Sequence, residues 1–190
     1  MRVFAFAAAF RRDSLNKKLV RLAAAAAERA GATLDLADFR EFEMPLYDGD
    51  LEASAGVPPG AQKLRERVLG ADAFMIASPE YNFSIPGTLK NAIDWVSRVQ
   101  PSAWRGKPGL LLSASPSMVG GNRSLWVIRV PLETLGAHLY PEMFSLAQAH
   151  EQFDAAGNLK NPKLAERLEK TVTDFVATAQ ALAGRRAPPA

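Results

Sequence analysis

Short unbroken apolar runs alternate with longer stretches of helical periodicity along this chain of 190 residues. Arg2–Ala8, Thr33–Leu36, Ala73–Ala77 and Gly109–Ser113 read as strands, and His138–Tyr140 reads as the start of a fifth. The uncharged run Ala-Phe-Met-Ile-Ala at 73–77 suits a central strand of a parallel sheet, buried on both faces. Ser14–Ala30 places Leu15, Leu19, Leu22 and Ala26 at helical spacing and stops at Gly31. Ala61–Leu69, Gly87–Arg98, Ser124–Leu135 and Pro162–Ala183 read as further helices. Gly70 and Gly136 close two of them, and Pro86 stands near the first turn of another. Phe39–Pro59 shows no clean period and holds Pro45, Gly49, Gly56, Pro58 and Pro59, which predicts a long loop. Residues 185–190 predict a frayed tail, leaving residues 1–184 as a single domain.

Strands that alternate with helices imply an α/β fold around a parallel sheet. A dinucleotide-binding fold would want Gly-x-Gly-x-x-Gly after its first strand, yet the first turn is Ala7-Ala8-Ala9-Phe10-Arg11-Arg12. A Gly-Lys-Ser/Thr phosphate loop is also absent. The element count fits a five-stranded sheet in the order 2-1-3-4-5. Ligands of such sheets sit beyond the carboxyl ends of the strands, at the switch point between strands 1 and 3.

Composition narrows the chemistry. The chain has no cysteine, which excludes disulfides, thiol nucleophiles and thiolate metal sites. Its two histidines, His138 and His150, are too few for a multi-histidine metal centre, and no metal site is expected. The net charge is +3, and the excess is local. Residues 1–22 hold Arg2, Arg11, Arg12, Lys17, Lys18 and Arg21 against Asp13 alone. Positive charge gathered around one early loop favours a small anionic ligand over nucleic acid tracked along a face. The apolar start of the chain is too short to span a bilayer, so the expectation is a cytoplasmic protein with no membrane segment.

Three loops follow strands 1, 3 and 4 and should meet at one edge of the sheet. The first, Ala8–Asn16, leads into a helix whose start offers unpaired N–H groups and partial positive charge. Ser14 and Asn16 add side-chain donors there, and Arg11 adds a full charge with bidentate geometry, a set suited to a terminal phosphate. Each of these residues also has a plainer reading, with Ser14 or Asp13 capping the helix and the arginines solvated. The second loop, Ser78–Gly87, puts Tyr81 and Phe83 where they can border a flat heteroaromatic ring, between Pro79 and Pro86. The third, Ser113–Arg123, contains Ser115 and the pair Gly120-Gly121, which permits close backbone approach. Joint placement, rather than any single loop, points to a ligand site.

The segment Ser78-Pro-Glu-Tyr-Asn-Phe-Ser-Ile-Pro-Gly-Thr-Leu-Lys-Asn-Ala-Ile-Asp-Trp-Val-Ser-Arg98, with Leu46-Tyr-Asp-Gly-Asp-Leu51 and Gly120-Gly121, resembles the NADPH-dependent FMN reductase family. This is a flavodoxin-like group of quinone, chromate and azo-dye reductases. The resemblance implies a three-layer α/β sandwich and an FMN site. It places the phosphate at Arg11, Ser14 and Asn16, and one side of the flavin ring at Pro79, Glu80, Tyr81, Asn82 and Phe83. Ser115, Gly120 and Gly121 fall on the other side. It further implies NADPH or NADH as co-substrate, a small-molecule electron acceptor, and a homodimer or homotetramer. Flavin carries the hydride chemistry, so no catalytic acid or base is expected. Lys90, Asn91, Asp94, Trp95 and Arg98 match a region that pairs subunits in the family, while Asp94 and Arg98 alone read as an i,i+4 surface pair. Two departures stand out: Ala8-Ala9 replaces the family's usual Gly-Ser, and Ser117 stands where glycine is common. The first loop is therefore expected to be reshaped, or to hold the phosphate less tightly. The alternatives are a flavin-binding redox sensor and a family member that has lost FMN and serves as an interaction module.

Overall fold

The computed structural model describes residues 1–183; the tail expected at 185–190 lies outside the described residues. Strands β1 (Arg2–Ala7), β2 (Thr33–Asp38), β3 (Ala73–Ala77), β4 (Pro108–Ala114) and β5 (His138–Leu139) form a parallel sheet in the order β2-β1-β3-β4-β5. The register pairs Val3 with Leu34 on one side and with Ala73 on the other, and Phe74 with Gly109.

The apolar runs are explained by burial on both faces. Alternate residues of each strand enter two different cores. Phe4, Phe6, Phe74 and Ile76 pack with Leu64, Leu89, Trp95 and Ile128 of α3 (Pro59–Leu69), α4 (Gly87–Ser97) and α5 (Asn122–Thr134). Val3, Ala5, Met75 and Leu110 pack on the opposite face with Leu19, Val20, Val172 and Phe175 of α1 (Leu15–Arg29) and α7 (Pro162–Ala183). The result is the expected three-layer sandwich. Trp95 belongs to the first core, fully buried, with its indole N–H donating to Pro45 O at 2.9 Å. It therefore offers nothing to a subunit surface.

Three expectations need correction. Phe39–Pro59 is not one long loop: Phe39–Phe42 forms a 3-10 turn and α2 spans Gly49–Ala55. Capping specifies both elements. Asp38 accepts the Arg40 N–H while Glu41 reaches back to the Asp38 N–H, and Asp48 accepts the Asp50 N–H. Since α2 buries none of its residues, it has no apolar stripe for a periodicity search to find.

The fifth strand is broken. The chain leaves the sheet after Leu139 and returns as β6 (Phe144–Leu146), which pairs further along β4, at Leu112, Ser113 and Ala114. Pro141, lacking an N–H, cannot continue a ladder. Finally, Asp94 and Arg98 do not pair with each other: Asp94 binds Lys90 at 2.7 Å, and Arg98 binds Glu52 at 2.9 Å.

Candidate functional site

Strand order reverses direction between β1 and β3, and the loops after β1, β3 and β4 emerge together at that edge. Their roots are tied into the sheet: the Ala8 N–H donates to Ala77 O at 2.9 Å, and the Ser78 N–H to Leu112 O at 2.8 Å. Between the loops lies a cleft of about 140 Å³ lined by Arg11, Ser14, Leu15, Asn16, Pro79, Glu80, Tyr81, Ala114, Ser115 and Pro116. Arg11, Ser14, Asn16, Pro79, Glu80, Tyr81 and Ser115 are thus brought together, while Asn82, Phe83, Gly120 and Gly121 do not line this cleft. A larger cavity of about 400 Å³ begins one residue away, at Phe10, and is walled by Phe39, Phe42, Met44 and Leu46. Thr88 of the first turn of α4 also lines it, but its walls are mainly apolar and its arginine, Arg40, is held by Phe10 O and Glu43, so the smaller cleft, with Arg11 unengaged among the described residues, is the better match for a phosphorylated ligand.

Ser14 is the N-cap of α1, its Oγ accepting the Asn16 N–H at 3.2 Å. That bond uses an acceptor lone pair and leaves the hydroxyl proton free to donate. Arg11 is exposed, and among the described residues its guanidinium has neither an ion pair nor a hydrogen bond. Asn16 has a different occupation. Its side chain is buried, donates to Ala114 O and accepts from the Ala114 N–H, both at 2.9 Å. It pins the start of α1 to the end of β4 and keeps at most one amide hydrogen for a ligand.

Ala8 and Ala9 are buried and neither takes a positive φ, so the chain turns without the family's glycine. Of the other basic side chains of this loop and helix start, Lys17 is engaged: it is buried with its Nζ on Asp38 at 2.8 Å, and that contact holds the Asp38 carboxyl below the usual range.

In the second loop, Tyr81 and Ser84 exchange both backbone hydrogen bonds at 3.0 Å around Asn82 and Phe83, at φ +50° and +65°. Two left-handed residues in a two-residue turn match the type I′ hairpin geometry. Asparagine tolerates that region; a phenylalanine there is strained. Glu80 turns its carboxylate onto Arg123 of α5, whose Nε donates at 2.7 Å. Arg123 is not recognisable as part of the site from the sequence. Its partner lies 43 residues away and no local spacing announces the pair.

In the third loop the glycine pair is required by packing. A Cβ on Gly120 would lie 2.7 Å from Leu146 C and Ala147 N, and one on Gly121 would lie 2.0 Å from Ser113 Oγ. The close approach these glycines permit is to the protein itself. The Gly120 N–H is occupied by Ser117 O at 3.2 Å. Ser115 sits at the base of this loop, its N–H on Leu146 O at 3.2 Å and its Oγ donating to Ser117 Oγ at 3.1 Å. Ser117, the second departure, thus fastens the loop internally.

A cleft at the C-terminal edge of a parallel sheet, lined by a helix start, an arginine without a partner among the described residues, and the Pro79–Tyr81 segment, offers groups that suit a phosphorylated, ring-bearing ligand such as FMN. The comparisons agree. Residues 1–151 match the profile described as NADPH-dependent FMN reductase. The chain is 38% identical over 192 residues to a protein of Oryza sativa subsp. japonica named probable NADPH:quinone oxidoreductase 2, covering 98% of this chain and 93% of that one. It is 39% identical over 142 residues to a Pseudomonas aeruginosa protein named NAD(P)H-dependent FMN reductase, covering 74% of this chain and 75% of the other. Among solved structures, FerB from Paracoccus denitrificans, described as a flavoenzyme NAD(P)H:(acceptor) oxidoreductase, superposes with a TM-score of 0.80 at 30% identity, covering 95% of this chain and 97% of that one. With fold, loops and relatives in accord, the chain belongs to the NADPH-dependent FMN reductase family of oxidoreductases.

Proposed function

We propose that this chain holds FMN in the cleft beyond β1, β3 and β4 and transfers hydride from NAD(P)H to a small oxidised acceptor. The acceptor class comprises quinone, azo, nitro, metal-oxyanion and free-flavin compounds. The observation that carries the assignment is Arg11, unpaired among the described residues, beside the Ser14-capped start of α1 and lining one cleft with Pro79, Glu80 and Tyr81.

Bound FMN supplies the two-electron chemistry that links NAD(P)H to the acceptor. The protein's part is binding and orientation. Arg11, the Ser14 hydroxyl and the N–H groups at the start of α1 receive the phosphate. The loop Pro79–Tyr81 walls one side of the ring, and Ser115 with the chain around it walls the other. No residue is assigned as a proton donor: Glu80 is committed to Arg123, and His138 and His150 lie outside the three loops.

The assembly in this reading is a homodimer or homotetramer in the cytoplasm. Exposed Met118 on the third loop and Trp126 and Val130 on α5 supply apolar surface in support of association. No helix among the described residues is long and apolar enough to cross a membrane.

The decisive experiment titrates purified protein with FMN, follows flavin fluorescence, and then measures NAD(P)H consumption with a quinone. Saturable binding and quinone-dependent oxidation are expected. Absence of both at high micromolar FMN would overturn the assignment.

A further inference from the structure

Arg123, the second residue of α5, makes three separate contacts with the loop after β3. Its Nε donates to Glu80 Oε1 at 2.7 Å, with a terminal nitrogen 2.5 Å from the same oxygen. Its backbone N–H donates to the other carboxylate oxygen at 3.1 Å. Its guanidinium carbon lies 3.5 Å from the centre of the Phe83 ring. Glu80 is thereby gripped through both oxygens, with a side chain only 7% exposed. Phe83 sits in the left-handed region and is 67% exposed, with no other aromatic ring packed on it among the described residues.

Two physical consequences follow. The first is mechanical. A bulky residue at φ +65° persists only when its surroundings over-determine it, and the Arg123 guanidinium is the group stacked on it. The grip on Glu80 fixes one end of the turn and the stack on Phe83 fixes the other, so the backbone from Pro79 to Phe83 is held from outside the loop. The second is electrostatic. Glu80 lines the cleft, and a bare carboxylate there would oppose any negative charge gained by a reduced flavin. A planar, permanently charged fork neutralises it in place; a lysine would supply the same charge but not the planar grip on Glu80 and Phe83.

We propose that Arg123 is a positioning residue for the flavin ring, acting through Glu80 and Phe83: it freezes the turn at 81–84 and cancels the Glu80 charge, and so sets ring affinity and reduction potential. The proposal rests on the FMN assignment above, and its mechanical half is measurable without flavin.

The test compares the wild type with Arg123→Ala, Arg123→Lys and the double variant Arg123→Ala/Glu80→Gln. In flavin-free protein, amide exchange at Tyr81 and Ser84, whose N–H groups close the turn, should accelerate in Arg123→Ala and in Arg123→Lys. With flavin, Arg123→Ala should weaken FMN and riboflavin alike, by about tenfold, because the phosphate contacts are untouched. Its flavin potential should become more negative. Arg123→Lys should keep a near-normal potential, and Glu80→Gln should restore the potential in the Arg123→Ala background without restoring exchange protection. Unchanged exchange at Tyr81 and Ser84 in Arg123→Ala overturns the clamp. A potential unmoved by Arg123→Ala, or unrescued by Glu80→Gln, overturns the electrostatic role. If exchange accelerates as expected but the wild type binds neither flavin, the clamp stands, and the site assignment falls together with the electrostatic half.

Discussion

At the scale of single residues, Arg11 and Asn16 show how differently two neighbours in one loop are spent. Among the described residues Arg11 has no hydrogen-bond or ion-pair partner, so its charge is available to a ligand. Arg11→Ala should weaken FMN by about ten- to a hundredfold, the equivalent of one charge-assisted hydrogen bond, and leave riboflavin affinity nearly unchanged. Parallel titration with the two flavins checks this; equal losses would show that the loop does not read the phosphate. Asn16 is committed through both ends of its amide to Ala114. Asn16→Ala leaves a buried N–H and a buried carbonyl unpaired, and should cost about 1–3 kcal/mol, read as a lower midpoint in chemical unfolding. The contrast also measures what was legible. A guanidinium next to a helix start advertises anion binding in the sequence, whereas the partner of Asn16 lies 98 residues away and only the fold brings it near.

At the scale of elements, the third loop is shaped by β6, the strand that sequence patterns did not predict. Ser115 and Gly120 both lean on the chain at Leu146–Ala147, and Ala149 donates back to Ser115 O at 3.0 Å. Gly120→Ala combines a positive φ with a backbone clash that no side-chain rotation relieves. It should destabilise the protein by about 1–3 kcal/mol and weaken riboflavin binding as well as FMN. Thermal unfolding and flavin titration of this variant test both parts; full stability would mean the loop has room that the geometry denies. Phe144–Leu146 escaped the sequence reading because three residues are too few to display a period, and because Pro141 breaks the run in which they would have been recognised. The turn at 39–42 and helix α2 escaped for the opposite reason, since side-chain capping rather than apolar spacing writes them.

At the scale of the whole molecule, surface carboxylates link distant parts and make stability depend on pH. Asp38 is held below its ordinary range by the hydrogen bond from Lys17, Glu41 by that from Lys63, and Glu169 by that from Arg29 on the α1–α7 contact. A carboxylate depressed in the folded state gives stability that is fully present above its unfolded pKa and is lost as pH falls through the folded value. The unfolding midpoint should therefore hold steady from neutral pH down to about pH 5 and drop below about pH 4, where these groups begin to protonate. Asp38→Asn should flatten part of that drop. An acid-insensitive midpoint would mean these contacts contribute nothing. Light scattering addresses assembly at the same scale: a monomer at working concentration would remove the dimer or tetramer from the functional reading.

What the sequence determined by itself is the set of features written in neighbouring residues. Uninterrupted apolar runs demand burial on both faces, and alternation with helices then requires a parallel sheet. The order β2-β1-β3-β4-β5 places the loops after β1, β3 and β4 at one edge. The charge of Arg11 and the cap at Ser14 were also local, and so was the family signature from Ser78 to Arg98. Tertiary structure alone decided which polar groups remain free. Whether Asn16 faces a ligand or Ala114, whether Glu80 is a bare carboxylate or half of a clamp with Arg123, and whether Gly120 and Gly121 make room for a cofactor or for Leu146 and Ser113 are pairings between distant segments. A hydrogen bond or a steric contact depends on positions to within an ångström, and no periodicity in the chain encodes them.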